Sequence, residues 1–532
     1  MGGFSNFSLA PFEGSWDREL AGHLLRRTMY GPVAQDMEEA MNLGMENSVA
    51  KLLEEKPMPD LPLNVFTSDD PEVAIGESWV GKSYTRGENF NQIVNGRLRS
   101  LAAWTMGNLI HEGFSIREKM TLFWYNHFVT SDIRDANFRY INITNYRKNF
   151  LGNFRELAKI TTIDPTMLRY LNGNQNTKNK PNENYARELL ELFTIGKGPL
   201  AGDGDYTNYT EDDIAAVAKV LTGWRDIGYL NTNNRQVESV FIPNRHDTST
   251  KTLSHRFDEI EINNMGDQEY AHLINIIFSK DEVARFIARK IYRWFVYYEI
   301  DEQIEISIIE PMAEILRAND YEMKPMVEAL LKSQHFYDPY AIGSIIKNPL
   351  DFIVGSIKQL RLDFGDDILD NYAIWSRLGN FSELLQMAYF NAPSVAGWKA
   401  YYQPPLYYRT WINATTLSSR LLFAGILING VVANRLRIQA DLLQVVDEIP
   451  NSSNPVDLID ELSEAFLPKE ISEGQKEYLK SLLIPGLPDY EWTLEYDLYR
   501  SNPSDLELKT AVETRLKSMF YGLLSLPEYQ LS

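Results

Sequence analysis

The stretch Ser115 to Thr130, SIREKMTLFWYNHFVT, constrains the fold more than any other part of this chain. After Lys119 it is apolar on nearly every face of a helix, and a helix that is apolar all round has to be enclosed by other elements. A chain holding such a segment must build a body around it. At ~100–200 residues per domain, 532 residues suffice for two to four units or for one large helical body with appendages. The balance of 44% hydrophobic and 23% charged residues is that of a globular protein with a sizeable core.

The flanking sequence is punctuated as helices. Residues 17–56 read as two helices joined at Tyr30-Gly31-Pro32, a stop followed by a restart. Residues 57–92 are rich in Pro, Asp and Gly, lack a period, and read as a long loop excursion. Helical patterning resumes near Asn95 and runs, with breaks, to Trp224. Within it Thr210 caps a helix whose first turn is Glu211, Asp212 and Asp213. Residues 228–258 carry the one clear β signal, around Gln236 to Ile242, and predict a small β-hairpin excursion. An amphipathic helix follows over Asp281 to Tyr298. The apolar run Leu421 to Ala433 is too short to span a bilayer and reads as a buried helix. Polar linkers at 448–456 and 484–492 set off the end of the chain. The expected fold is all-α: a large multi-helix domain over 1–440 with the β-hairpin excursion, and a minor C-terminal helical subdomain over 441–532.

Charge and cysteine content narrow the function. A net charge of -21 repels phosphate backbones, so neither nucleic-acid binding nor membrane insertion is expected. Cysteine is absent, which excludes disulfides, thiolate zinc, iron–sulfur clusters and thiol nucleophiles. Any metal would have to be held by His, Asp, Glu, Asn or backbone oxygen. No basic segment followed by an apolar one opens the sequence, so no signal peptide is expected and the cytoplasm is favoured.

Three constellations could carry chemistry. In Pro181 to Phe193, PNENYARELLELF, a helical period places Glu183, Asn184, Arg187, Glu188 and Glu191 on one arc and Tyr185, Ala186, Leu189, Leu190, Leu192 and Phe193 on the other. That arc is either a solvated face with ordinary ion pairs or a carboxylate cluster for a metal or an acid–base pair. His127, late in the apolar helix, is either a core histidine bonded to a backbone carbonyl or a ligand or base. His246-Asp247 lies in the β excursion with Lys251 close behind, where Asp247 could orient His246 or join it on a metal. A fourth segment, Gly397 to Trp411, is crowded with Trp398, Tyr401, Tyr402, Tyr407, Tyr408 and Trp411, and reads as a packed loop or an aromatic platform.

Taken in order, LAGHLLRRTMYGP (20–32), REKMTLFWYNHFVTS (117–131), LGNFRELAKITTIDPTMLRYLNG (151–173), PNENYARELLELFTIG (181–196), YTEDDIAAVAKVLTGW (209–224), RHDTSTKT (245–252), IKNPLDFIVGSI (346–357), NAPSVAGW (391–398) and LLSLPEYQLS (523–532) resemble the bacterial family known as domain of unknown function 1800, DUF1800. The resemblance brings no established reaction. It implies a partner from a neighbouring sulfatase-like family, and it includes positions matching His127, Asp164, Glu183, Asn184, Arg187, Glu188, Glu191, Trp224, His246 and Asp247. The resulting expectation is an enzyme with a buried carboxylate–histidine cluster. His127, Glu183, Arg187, Glu188, Glu191 and His246 would be catalytic. One divalent metal ion could sit on His127, Glu188, Glu191, His246 and Asp247, serving a hydrolytic or non-haem-iron oxidative reaction. The alternative is a non-catalytic scaffold or binding protein for a protein or glycan partner, with the same polar residues as structural ion pairs.

Overall fold

The computed structural model describes residues 3–532 apart from 234, 434 and 435, and it is predominantly helical. The first two helices are Arg18–Thr28 and Ala34–Leu52, broken where the sequence predicts. Asp17 caps the first by accepting from the Leu20 N–H. Residues 57–89 contain no helix and lead into the long helix Phe90–His111. The apolar segment forms the helix Arg117–His127, and every one of its residues except Asn126 is buried. It packs on Ala136–Lys148, with Trp124, Phe128 and Phe154 in mutual ring contact and Phe123 set edge-on to Trp294. The enclosure demanded by its composition is therefore met by helices from well beyond its own neighbourhood.

The β content is wider than the sequence suggests. Among the described residues there are four antiparallel pairs: Leu200–Gly202 with Asp205–Tyr206, Trp224–Ile227 with Glu238–Phe241, Lys251–Thr252 with Glu261–Ile262, and Val431–Ala433 with Leu436–Ile438. The second and third make up the expected excursion. The fourth changes the reading of the run 421–433: the helix Ala414–Asn429 stops at Gly430, whose φ of 80° departs from the helix, and the chain re-enters as a strand. Leu422 and Val432, at 60% and 71% exposure, face outward.

One apolar core runs through the molecule from Leu20 to Tyr529. The helices after residue 441 are Leu442–Asp447, Pro455–Phe466, Glu473–Leu483, Tyr490–Ser501 and Leu506–Ser525, and they contribute Leu458, Trp492, Tyr496, Leu516 and Phe520 to it. Leu506–Ser525 lies along Ala414–Asn429, and the end of the chain returns to the body, where the Lys347 N–H donates to the Gln530 carbonyl at 2.8 Å. Among the described residues, no helix is long and apolar enough to cross a membrane.

Candidate functional site

The sequence-derived residues separate into three places. On the helix Glu183–Glu188, Arg187 turns to Glu211 at the start of the next helix and binds it through two bonds of 2.9 and 2.8 Å, with Glu183 at 3.6 Å. The Glu211 bond raises the Arg187 pKa, and the same bond lowers that of Glu211. Glu191 accepts from the Tyr209 hydroxyl at 3.1 Å. Burial and the nearby Glu191 raise the pKa of Glu188. From Leu189 to Thr194 the backbone widens into a π-helix.

His127 is a core histidine. Its Nε2 lies 2.9 Å from the Phe193 carbonyl, and its Nδ1 accepts from the Lys290 amino group at 3.0 Å. Burial, with Lys290 beside it, lowers its pKa well below the ordinary histidine value, so the ring is neutral. A neutral ring that accepts at Nδ1 donates at Nε2, which fixes the tautomer. Asp164, also singled out by the resemblance, caps the helix Pro165–Tyr170 and is pushed up to about 6 by burial.

His246 is buried elsewhere. Its Nε2 meets Glu269 at 3.1 Å and its Nδ1 lies 2.9 Å from the Thr222 carbonyl. Lys251 reaches the other Glu269 oxygen at 2.5 Å and also the Asp247 carbonyl. The Asp247 carboxylate turns away to Ser249; although burial opposes it, the two Ser249 bonds hold its pKa down. His127, the 183–191 face and His246 therefore each have their own partners, and the carboxylate–histidine cluster expected from the sequence is not assembled from them. Among the described residues, no three His, Asp or Glu side chains gather into a group able to hold a metal ion.

A different site is assembled, joining the aromatic segment to charged residues outside the three constellations. Arg26 and Arg27 end the first helix, Lys119 comes from the apolar helix, Arg293 and Trp294 from Asp281–Phe295, and Asn348 and Asp351 from the start of Pro349–Gln359. The aromatic segment roofs them with Tyr401, Tyr407, Tyr408 and Trp411. The roof is seated by Gly397, whose φ of 87° brings the backbone against Asn126; a side chain there would collide with it, and Asn126 Oδ1 accepts from the Trp398 N–H at 3.0 Å. Below, Gly22 lies under the Arg26 guanidinium, whose Nη1 is 2.5 Å from where a Cβ at that position would stand.

The pocket is cationic. Four positive side chains line it, Arg26, Arg27, Lys119 and Arg293, against one carboxylate side chain, Asp351. Lys119 pairs with Asp351 Oδ1, and Asn348 donates to Oδ2 at 2.7 Å, so that carboxylate is fully committed. Arg26 and Arg27 are only 5% and 4% exposed. Their bonds go to neutral oxygens: Arg26 Nη2 to the Glu464 and Ala465 carbonyls at 3.1 and 3.2 Å, Arg27 Nη2 to the Ala341 carbonyl at 2.6 Å and to Ser344 Oγ at 3.0 Å. Arg26 Nε and Arg27 Nε and Nη1 are buried without a partner. Burial drives Arg27 down to about 9 and Arg26 to about 10. Behind them burial lowers Lys347 to about 7 and Arg420 to about 10. Buried charges in this state are costly unless paired.

The pocket is narrow, with a cavity volume of about 40 Å³. That is room for one small polyatomic ion at the floor. A wider cavity, with about 470 Å³ for water centres, lies on the other side of Arg26 between Asp17, Arg18, Glu19 and the segment 460–476. Its charges are largely paired with one another, Arg18 with Glu461 and Glu464, Lys476 with Asp460 and Glu470.

Comparison with known proteins finds one family model, described as "Protein of unknown function (DUF1800)", matching residues 23–531. No curated protein and no solved structure matches the chain.

Proposed function

This chain belongs to the DUF1800 family, whose description assigns no activity, and from that premise we propose that it is a binding protein for a small oxyanion, held between Arg26, Arg27, Lys119 and Arg293. The observation that carries the reading is a buried pair of arginines, Arg26 and Arg27, each with guanidinium N–H groups that have no acceptor, lining a pocket whose one carboxylate side chain is already used. A protein with net charge -21 has acidic side chains in excess, yet none beyond Asp351 lines this pocket. Arg is suited to the task, because its planar fork matches two oxygens of an oxyanion at once.

The acid–base or metal-dependent enzyme has weaker support, since its residues keep separate partners. Calorimetric titration with inorganic phosphate tests the binding reading. Wild type is expected to bind with millimolar or tighter affinity, and Arg27→Gln and Arg293→Gln to lose about tenfold or more, equivalent to about 1.4 kcal/mol each. At a phosphate concentration a hundred times the Kd, the bound anion adds about 2.7 kcal/mol to wild-type stability. Absence of phosphate binding by the wild-type chain, or equal binding by all three proteins, would remove the proposal.

A further inference from the structure

We infer that the outer face of Ala414–Asn429 and Leu506–Ser525 is a self-association surface, on which a second copy of this chain docks about a two-fold axis. The inference is independent of the anion pocket and starts from charge. In a chain that is 23% charged, the one charged residue from Ile412 to Val432 is Arg420. Arg420 is buried and turned inward, donating to the Lys347 carbonyl at 2.7 Å and to Gln530 Oε1 at 3.1 Å. What this helix shows to water is therefore neutral. Ala414, Ser418, Leu422, Gly425 and Asn429 follow steps of four, four, three and four residues, fall on one line along it, and are all at least partly exposed. Beyond Gly430 the strand adds Val431 and Val432, both exposed.

The neighbouring helix repeats the pattern. Thr510, Thr514, Ser518, Tyr521 and Ser525 follow the same steps and are likewise at least partly exposed. The charges of this helix lie off that line or at its end: Arg515 pairs with Glu495, Lys509 lies 3.9 Å from Glu513, and Glu507 and Lys517 stand at the rim. The two lines adjoin, since a Cβ on Gly425 would stand 3.6 Å from the Tyr521 ring. Their polar groups are bonded within their own helices: Ser418 donates to the Ala414 carbonyl at 2.9 Å, Asn429 to Gly425 at 3.0 Å, Thr514 to Thr510 at 2.7 Å and Ser525 to Tyr521 at 2.6 Å. Such a face can be covered without stranding a donor.

A charged partner would give up its water here and gain no bond in return. Two copies of a chain with net charge -21 repel one another, so they approach closely only where charge is missing. The same neutral face on a second copy meets both conditions, and a two-fold axis sets it against itself. The helices are about 24 and about 30 Å long and lie about 10 Å apart, so each copy offers roughly 500 Å². Two copies then bury about 1,000 Å², the size at which specific interfaces begin.

Sedimentation velocity of the full chain tests this. Wild type is expected to form a dimer with a Kd of about 50 μM or tighter, and the Kd should tighten about threefold or more between about 50 and about 500 mM NaCl, because salt screens the repulsion and leaves the neutral contact intact. Leu422→Glu and, separately, Tyr521→Glu should weaken the dimer about tenfold or more. Both positions are exposed, so circular dichroism should show the wild-type thermal transition, and two variants on different helices guard against one failing to fold. Ile306→Glu, at a position as exposed as Leu422 on another part of the body, should dimerise like wild type. The inference is wrong if the wild-type chain stays monomeric to about 200 μM at both salt concentrations. It is equally wrong if the chain floats with neutral phosphatidylcholine vesicles in place of dimerising, if the Kd fails to tighten with salt, or if Ile306→Glu weakens the dimer as much as the two face variants.

Discussion

Glu269 is fully buried and balances two groups at once, the Lys251 ammonium at 2.5 Å and His246 Nε2 at 3.1 Å, while also accepting from the Met265 N–H at 3.2 Å. Removing one partner of such a group leaves an uncompensated charge in the interior. Glu269→Gln should therefore cost about 3–5 kcal/mol in urea unfolding, because Lys251 remains with no anion. Replacing both sides, Lys251→Met with Glu269→Leu, should cost less than the two single changes added together, since no lone charge is left. Additive losses would show that the pair does not act as a unit. At this scale the sequence was informative about His246-Asp247 and Lys251 but silent about Glu269, which lies 18 residues beyond Lys251 and belongs to no motif. The adjacent aspartate, the partner that spacing suggests, supplies only its backbone carbonyl to Lys251, because its carboxylate is already engaged by Ser249. Arg26 and Arg27 were equally unreadable: two arginines near a helix C-terminus look like dipole partners until their burial is seen.

The element that best shows how local geometry outruns sequence is the π-helix Leu189–Thr194. Its apolar arc was legible, and Tyr185, Ala186, Leu189, Leu190 and Phe193 are buried as the period requires. The wider turn was not, because no residue type marks the extra residue that a π-turn admits. The turn leaves carbonyls at its end to be satisfied from outside: Lys290 donates to Leu192 O at 2.9 Å and His127 to Phe193 O. Burial, with help from Arg293, pushes Lys290 down to about 7. An unfolded lysine titrates near ~10.4, so between those values the unfolded chain holds a proton that the folded chain has released. Stability then rises with pH across that window, by up to about 1.4 kcal/mol per pH unit for this one group. Lys290→Met should flatten the stability profile above neutrality relative to wild type. Lys119, Lys347 and Lys358, whose pKa values burial also lowers, contribute equally to both proteins and cancel in the difference. Parallel profiles for the two proteins would mean that Lys290 is charged throughout.

For the whole molecule, helical class and the order of most elements followed from period and punctuation, whereas the site did not, because it is a meeting of distant segments. The breaks at 448–456 and 484–492 are real, falling next to Pro455–Phe466 and between Glu473–Leu483 and Tyr490–Ser501. Sequence cannot say which surface the helices between them cover. Together with the end of the chain they hold the pocket's own supports: Arg26 donates to Glu464 and Ala465, Lys347 to the Tyr529 carbonyl at 2.8 Å, and Arg420 to Gln530 at 3.1 Å. Cutting the chain after residue 440 would expose the apolar faces of Ala414–Asn429 and strip acceptors from three buried cations at once. Those cations carry no spare anions, so each loss is that of a buried charge and not of a surface contact. The 1–440 chain should fail to give a cooperative thermal transition by circular dichroism and should not bind phosphate. A soluble 1–440 chain with a sharp transition and wild-type phosphate affinity would establish the opposite: that the first 440 residues are self-sufficient and the oxyanion pocket needs nothing from the helices that close over it.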